Sequence, residues 1–134
     1  MSADWVRISK ALEEKKWERI EELRMRFCED ALLVVLFGSR ARGDATAASD
    51  YDFLVVVEGV GKEFLLEWPA QIFIFGLDII GDEIRNMNTI VVDALIEGKL
   101  ICGDVKLFKD LRNLALNEIK GRRLKKTKIG WVRE

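Results

Sequence analysis

The sequence predicts an α/β fold, with a small mixed β-sheet flanked by helices. Three continuous apolar runs, at residues 31–37, 51–57 and 71–80, have the length of buried strands. Apolar residues recur every three or four positions over residues 4–28 and 104–120, which is the spacing of amphipathic helices. Helices and strands that alternate along a chain pack as a sheet layered with helices.

Capping residues, glycines and the single proline set the limits of the individual elements. The helix over residues 4–28 keeps its apolar spacing except at Lys16. After it we expect, in order, a strand over 31–37, a short helix opened by Ser39 and ended near Gly43, a strand over 51–57, a loop and short helix that stop before Pro69, a strand over 71–80, a helix from Asp82 to Glu97 closed by Gly98, a short strand at 99–102, and a helix over 104–120.

The length and composition indicate one globular domain. The chain has 134 residues, of which 49% are hydrophobic and 34% charged, and this length is enough for a real core. We divide it into an N-terminal helix (1–30), a core (31–104) and a C-terminal helix with a basic tail (105–134). No apolar run approaches the roughly 20 residues that span a bilayer, and the charged N-terminus is not typical of a secretory signal. We therefore expect a cytoplasmic protein that does not enter a membrane.

The cysteine and histidine content argues against several kinds of site. Cys28 and Cys102 are far apart in the sequence without a CxxC pattern, and the chain has no histidine. A zinc site and a Ser-His or Cys-His catalytic pair are therefore not expected. We expect both cysteines to be reduced thiols in the core.

Basic residues are concentrated at the C-terminus. Residues 1–119 contain 15 basic and 22 acidic side chains, a net −7, whereas residues 120–134 contain 7 basic and 1 acidic, a net +6. The interpretation we favour is a solvated, fraying tail. The alternative is that residues 120–133 attract nucleic acid or an acidic partner.

Two carboxylates stand at the start of the second apolar run. Asp50 and Asp52 are two residues apart, so their side chains share a face if the strand begins there. Two close carboxylates repel each other unless a cation lies between them. Oxygen ligands without His or Cys suit Mg²⁺ or Mn²⁺. A Ser-Asp turn explains Asp50 alone, but it does not explain Asp52, because aspartate is depleted in strands.

A Gly-Ser turn ends the first apolar run. Gly38 lets the backbone approach a ligand closely, and Ser39 stands at a helix start, where free N–H groups favour phosphate. The segment "GSRARGD" is not a Walker A loop, because it lacks the Lys-Ser/Thr that must follow. The two features occur in a fixed order: a strand, Gly-Ser, ten residues, Asp-x-Asp and a second strand. This combination is more specific to a function than the Gly-Ser turn or the aspartate pair alone.

This order resembles the nucleotidyltransferase superfamily that includes DNA polymerase β, and within it the minimal nucleotidyltransferases of archaea and bacteria. The pattern of the minimal group, GS-x-A-R-G followed by S-D-x-D, is matched by Gly38, Ser39, Ala41, Arg42, Gly43, Ser49, Asp50 and Asp52. The resemblance is specific over residues 31–57 and extends to about residue 104. It implies a polymerase β palm-like fold and an enzyme that transfers a nucleoside monophosphate.

The resemblance also implies roles for individual residues. A nucleoside triphosphate, most simply ATP, would place its outer phosphates at Gly38 and Ser39, with Mg²⁺ or Mn²⁺ among the acids. A hydroxyl would then attack the α-phosphorus, and pyrophosphate would leave. The family carries a third carboxylate on a later strand, and Asp78, inside an apolar run, is the matching candidate for a metal ligand that faces the acceptor hydroxyl. The other interpretation of Asp78 is an acid at the exposed end of a strand. Arg42 is a candidate phosphate contact.

Partners follow from the same resemblance. Minimal nucleotidyltransferases commonly act as antitoxin partners of HEPN-domain ribonuclease toxins, and some add AMP to a toxin tyrosine. A HEPN toxin or a second copy of this chain is therefore the partner that the resemblance implies. The alternative is a non-catalytic antitoxin or nucleotide-binding module that acts by contact alone, which loss of the third acid would favour. A nuclease with an E-x-K pattern at Glu97-Gly98-Lys99 is a further interpretation, but a helix end explains those residues better.

Overall fold

The computed structural model describes residues 3–46 and 48–134. Residues 1, 2 and 47, which fall in the predicted N-terminal helix and core, lie outside the described part. The described helices are α1 (Ala3–Asp30), α2 (Ser39–Arg42), α3 (Leu77–Arg85), α4 (Thr89–Glu97) and α5 (Val105–Gly121). The described strands are β1 (Leu33–Phe37), β2 (Tyr51–Val57), β3 (Lys62–Glu67), β4 (Ala70–Gly76), β5 (Lys99–Gly103), β6 (Leu124–Thr127) and β7 (Gly130–Arg133). Within these residues, no helix is both long and apolar enough to cross a bilayer.

The main sheet has five strands in the order β3-β4-β2-β1-β5. β2 and β4 run parallel, whereas the other neighbours are antiparallel, so the sheet is mixed as predicted. The register places Phe37 of β1 opposite Asp52 of β2, and Asp52 opposite Gln71 of β4. The end of β1 and the starts of β2 and β4 therefore meet at one end of the sheet, which we call the Asp52 end.

Helices cover both faces of the sheet. α1 packs on one face through Ile20 and Leu23, and α3, α4 and α5 pack on the other face through side chains such as Ile84 and Leu95. Successive strand residues point to opposite faces. Leu54 and Val56 of β2 belong to the core under α3, α4 and α5, and Asp52 has the same parity. Asp52 therefore points to the face that carries these three helices.

The segment before Pro69 was predicted as a loop and short helix, and this prediction is wrong. It forms β3, an edge strand of the sheet. Phe64 of β3 stacks on Phe73 of β4 with ring centroids 4.8 Å apart. The turn between these strands contains a cis peptide bond between Trp68 and Pro69. Over so short a stretch the apolar residues fit either period, and pairing with β4 decides the structure.

The predicted strand over 71–80 and the predicted helix from Asp82 to Glu97 are also divided differently. The strand ends at Gly76 and α3 begins at the next residue, because a continuous apolar run does not separate a strand from a buried helix. Met87 interrupts the helix with a left-handed φ of 56°. Asn88 then caps α4 by accepting a hydrogen bond from the Ile90 N–H at 3.1 Å. These shifts move Asp78 from a strand to the first turn of a helix.

Cys28 and Cys102 form a disulfide, so the expectation of reduced thiols is wrong. Their Cα atoms lie 6.0 Å apart, although 74 positions separate them in the sequence. The end of α1 packs against β5, and sequence spacing alone does not reveal this contact. The bond ties α1 to the edge of the sheet.

The basic tail is folded, so the prediction of a fraying C-terminus is wrong. β6 and β7 form an antiparallel hairpin. Asp93 of α4 accepts hydrogen bonds from Trp131 Nε1 at 2.8 Å and from Lys126 Nζ at 2.9 and 3.0 Å. Hydrogen bonds from Trp131 and Lys126 to the partly buried Asp93 thus hold the hairpin against α4.

Candidate active site

The Gly-Ser turn and the second aspartate are in direct contact at the Asp52 end. Gly38 follows the last residue of β1 with φ of 75° and ψ of −157°. A Cβ atom on Gly38 would overlap Oδ2 of Asp52. The backbone conformation and the available space therefore both require glycine here. The carboxylate of Asp52 lies against the backbone of the turn.

Ser39 opens α2, a helix of four residues that Gly43 ends in the left-handed conformation. This is the short helix that the sequence predicts. The N–H groups of Ala41 and Arg42 both donate to the Gly38 carbonyl at 3.1 Å. The turn is therefore compact, and Ser39 directly follows Gly38, the residue that lies against the carboxylate of Asp52.

Asp50 and Asp52 are brought together at the start of β2. Asp50 is exposed just before the strand, whereas Asp52 is half-buried within it. Burial raises the pKa of Asp52, the neighbouring Asp50 carboxylate raises it further, and the positive charge of Arg42 opposes both effects. Burial and the nearby Asp50 carboxylate both disfavour the ionised form of Asp52. A divalent ion between the two carboxylates would relieve the repulsion.

Asp78 does not join this pair. It lies exposed in the first turn of α3, where its Oδ1 accepts a hydrogen bond from the Gly61 N–H at 3.3 Å. Gly76, two residues earlier, is paired with Val57, which is five residues beyond Asp52 on β2. Five strand residues span about 16 Å. Contrary to the expectation, the structure places Asp78 at the opposite end of the sheet from Asp50 and Asp52.

Gln71 is the residue beside Asp52 on the parallel strand β4. Paired residues of neighbouring strands point to the same face, so this is where a third carboxylate would stand beside the pair. A glutamine offers one neutral oxygen and does not accept a proton near neutral pH. Among residues 3–46 and 48–134, no three acidic or cysteine side chains are grouped closely enough to hold a metal ion. The described site is thus a two-carboxylate site.

The positive charge of Arg42 acts on Asp52, and the same side chain lines a cleft next to the C-terminal hairpin. Its guanidinium lies 3.4 Å from Asp44 and 3.5 Å from Glu97. Glu97 ends α4 and Gly98 caps it, so the E-x-K pattern is a helix end, as predicted. A cleft of about 370 Å³ is lined by Arg42, Glu97, Lys126, Thr127 and Lys128. The charge count singled out the tail as a whole, but the hairpin fold was needed to bring two of its lysines to this cleft.

The Asp78→Ala variant is expected to bind metal and nucleotide like the wild type, because Asp78 lies far from the acid pair. The measurement is the rise in melting temperature that Mg²⁺ and ATP produce together. Asp52→Asn serves as the matched variant in which that rise should disappear. A loss of the response in Asp78→Ala would show that this acid does act at the pair.

Comparison with known proteins gives a family and a fold. Residues 13–122 match the family model described as a nucleotidyltransferase domain, which confirms the predicted resemblance to nucleotidyltransferases. The chain is similar to the crystal structure of a nucleotidyltransferase-like protein from Exiguobacterium sibiricum 255-15, with a TM-score of 0.54 and 12% identity over 74% of this chain. This similarity confirms the predicted fold class. The chain covers 38% of that protein, so it spans about two fifths of its length.

A second similar structure is described as a toxin-antitoxin with AMP-PNP. Its TM-score is 0.43 and its identity 18%, over 78% of this chain and 84% of that one. No curated protein matches the sequence.

Proposed function

Because the chain belongs to the nucleotidyltransferase domain family, we propose that it transfers a nucleoside monophosphate, AMP from ATP in the first instance, to a hydroxyl acceptor. The observation that carries this proposal is the contact between Gly38 and Asp52. The turn that would approach the phosphates and the acid that would bind the metal occupy one place, at the Asp52 end of the sheet.

Asp50 and Asp52 are the residues that would hold Mg²⁺ or Mn²⁺. In nucleotide sites Mg²⁺ is usually bound by one or two carboxylates together with substrate phosphate oxygens, and this pair supplies such a set. Such an ion would supply positive charge to offset the negative charge that develops on the entering and leaving oxygens. We therefore expect the metal to bind with the nucleotide rather than alone.

Gly38, Ser39 and Arg42 would contact the outer phosphates. The turn approaches closely because Gly38 has no side chain, and the Ser39 hydroxyl can donate a hydrogen bond to a phosphate oxygen. Arg42 lowers the pKa of Asp52 through its charge and lines the cleft that Lys128 also lines. Cationic side chains at this position would stabilise the negative charge of departing pyrophosphate.

The acceptor we propose is a hydroxyl on a protein partner, and a tyrosine of a HEPN-domain toxin is the first candidate. This assignment is based on the Gly-Ser and Asp-x-Asp pattern of the minimal group. Because Gln71 stands where an acid would take the hydroxyl proton, that proton would pass to water, to the triphosphate or to a group of the partner.

The second candidate function is a non-catalytic antitoxin or nucleotide-binding module. Gln71 favours it, because a site with only two carboxylates lacks a general base beside the acceptor. Such a module would still bind nucleotide at Gly38 and Asp52, and it would neutralise its partner by contact. The two candidates differ in whether the partner gains mass.

The Gln71→Asp variant separates them. The co-purified partner is incubated with ATP and Mg²⁺ and its intact mass is measured. We expect the wild type to add AMP units slowly, Gln71→Asp to add them about 10²-fold faster because it supplies the missing base, and Asp52→Asn to add none. Gln71→Asn, which has the size of the aspartate variant without its charge, should not accelerate the transfer. Full partner inhibition with no mass change, in the wild type and in Gln71→Asp alike, would establish the second candidate instead.

A further inference from the structure

Lys16 is a buried cation at the centre of α1. The residue is 3% exposed, which is rare for a lysine because a buried ammonium group must be paired. Its Nζ donates a hydrogen bond to the Ser49 carbonyl oxygen at 2.9 Å. In the sequence this residue is the one interruption in the apolar spacing of the helix. An apolar side chain would satisfy the packing, so the charge at this position needs another explanation.

The same carbonyl oxygen receives a second cationic donor, from a different element. Nη2 of Arg40, in α2, donates to the Ser49 carbonyl at 2.9 Å. The guanidinium lies 4.3 Å from the centroid of the Tyr51 ring. Glu13, almost one turn before Lys16, accepts hydrogen bonds from Nη1 and Nη2 of Arg40 at 3.1 and 2.9 Å. A two-point pair of this kind fixes the plane of the guanidinium as well as its position.

The carbonyl in question belongs to the residue directly before Asp50. On its other side, the Ser49 N–H donates to the Thr46 carbonyl at 3.0 Å. The Tyr51 N–H donates to the Pro69 carbonyl at 2.9 Å. The peptide that joins Ser49 to Asp50 is therefore held from both directions, while the Asp50 side chain itself remains exposed.

We propose that Glu13, Lys16 and Arg40 form a clamp on the Ser49 carbonyl that positions Asp50 against Asp52 for metal and nucleotide binding. The consequence for binding rests on the proposed function, whereas the geometry does not. These three side chains are positioning residues, since they act through the Ser49–Asp50 peptide. α1 thus becomes part of the site, although it packs on the sheet face opposite to the one that Asp52 faces.

The size of the effect follows from the behaviour of groups that orient metal ligands. Removing such a group typically weakens metal binding by about 10- to 100-fold. Loss of Lys16 alone leaves the Ser49 carbonyl bonded to Arg40, so this acceptor keeps a donor. A methionine has the length of the lysine stem and fills the same space. Lys16→Met is therefore expected to fold and to loosen the clamp.

The test compares Lys16→Met with Lys15→Met, the same substitution at the exposed neighbouring position of α1. Hydrogen exchange of the Ser49 and Tyr51 amides measures the clamp, and calorimetric titration with ATP in excess Mg²⁺ measures its consequence. In Lys16→Met we expect exchange at these amides to be faster and the affinity for ATP to be about 10-fold weaker. Lys15→Met should behave like the wild type in both. Glu13→Gln removes the charge that holds Arg40, so it should also speed amide exchange and weaken the affinity for ATP. This variant replaces Lys16→Met if Lys16→Met does not fold.

The two measurements separate the clamp from the proposed function. If exchange is faster in Lys16→Met but the wild type does not bind ATP, the clamp is supported and the proposed function is contradicted. Exchange that is unchanged in Lys16→Met would overturn the clamp. Unchanged affinity in Lys16→Met, when the wild type binds ATP with Mg²⁺, would equally overturn its positioning role.

Discussion

The Asp52→Asn variant should melt at a higher temperature than the wild type in EDTA, and it should lose the stabilisation that Mg²⁺ and ATP give together. The first effect follows from the raised pKa of Asp52, which burial and the Asp50 carboxylate both produce. An ionised Asp52 destabilises the folded chain, and an asparagine of the same shape removes that charge. The second effect follows because the carboxylate is also a metal ligand in the proposed site.

The gain in EDTA has a defined pH dependence. Because the pKa of Asp52 is raised above its usual 3.8 in the folded chain, the folded state binds this proton more tightly than the unfolded state. The wild type therefore loses stability as the pH rises from about this value through the raised pKa. The advantage of Asp52→Asn is complete above that pKa and disappears in acid.

Thermal melting in EDTA, in Mg²⁺ and in Mg²⁺ with ATP, over a pH series, measures both effects. Relief of the repulsion should raise the melting temperature, by about 4 °C for each kcal/mol of stability gained in a chain of this size. Saturation of the wild type at about 100 times the Kd adds about 2.7 kcal/mol that the variant should lack. If Asp52→Asn kept the rise in melting temperature that Mg²⁺ and ATP produce, Asp52 would not be a metal ligand of the site.

The Gly38→Ala variant should lose nucleotide binding almost completely. A Cβ atom at Gly38 would overlap Oδ2 of Asp52, so either the turn or the carboxylate must move. The backbone of Gly38, with φ of 75° and ψ of −157°, is also essentially restricted to glycine, at a cost of roughly 1–3 kcal/mol for other residues. We expect a less stable protein whose affinity for ATP with Mg²⁺ falls by at least about 10²-fold, since phosphate and metal contacts are lost together.

Gly43→Ala is the matched control. Gly43 also has a positive φ, of 83°, but a Cβ atom there meets nothing within 4 Å. This variant should lose roughly 1–2 kcal/mol of stability and keep its affinity for ATP. Calorimetric titration at a temperature well below both melting transitions separates binding from folding. Equal affinity in Gly38→Ala and the wild type would mean that the turn has a structural role only.

The parts of the site that are close in sequence could be predicted from the sequence. β1 and β2 are short, strongly apolar runs, and the Gly-Ser and Asp-x-Asp segments directly adjoin them. Antiparallel pairing of the two runs then brings Gly38 to Asp52. The amphipathic helices α1 and α5 were also predicted, because each keeps a helical period over many residues.

Which residue stands beside the two aspartates on β4 depends on the pairing of β2 with β4, and the sequence alone does not reveal that pairing. One apolar run contains both the end of β4 and the start of α3, so the sequence pattern predicts a strand position for Asp78, which lies in the helix. Only the parallel pairing of β2 and β4 identifies Gln71 as the neighbour of Asp52. The one available signal is that Gln71 is a polar residue at the start of an apolar run, as Asp52 is near the start of the run that forms β2.

Three other features had a weak signal in the sequence or none. The break at Lys16 in the apolar spacing marked a position where packing alone did not explain the residue, and the structure shows its partner in a distant loop. The disulfide and the C-terminal hairpin depend on contacts between elements far apart in the chain. Local pattern does not encode such contacts.

The central claim is that the acid pair and the Gly-Ser turn form a single site for metal and nucleotide. Calorimetric titration of ATP into the protein, in EDTA and in excess Mg²⁺, tests it most directly. The wild type should bind ATP more tightly with Mg²⁺ than without it, and Mg²⁺ without ATP should produce little heat. In Asp52→Asn this difference between the two conditions should vanish. Equal affinity for ATP in EDTA and in Mg²⁺, in the wild type, would contradict the claim.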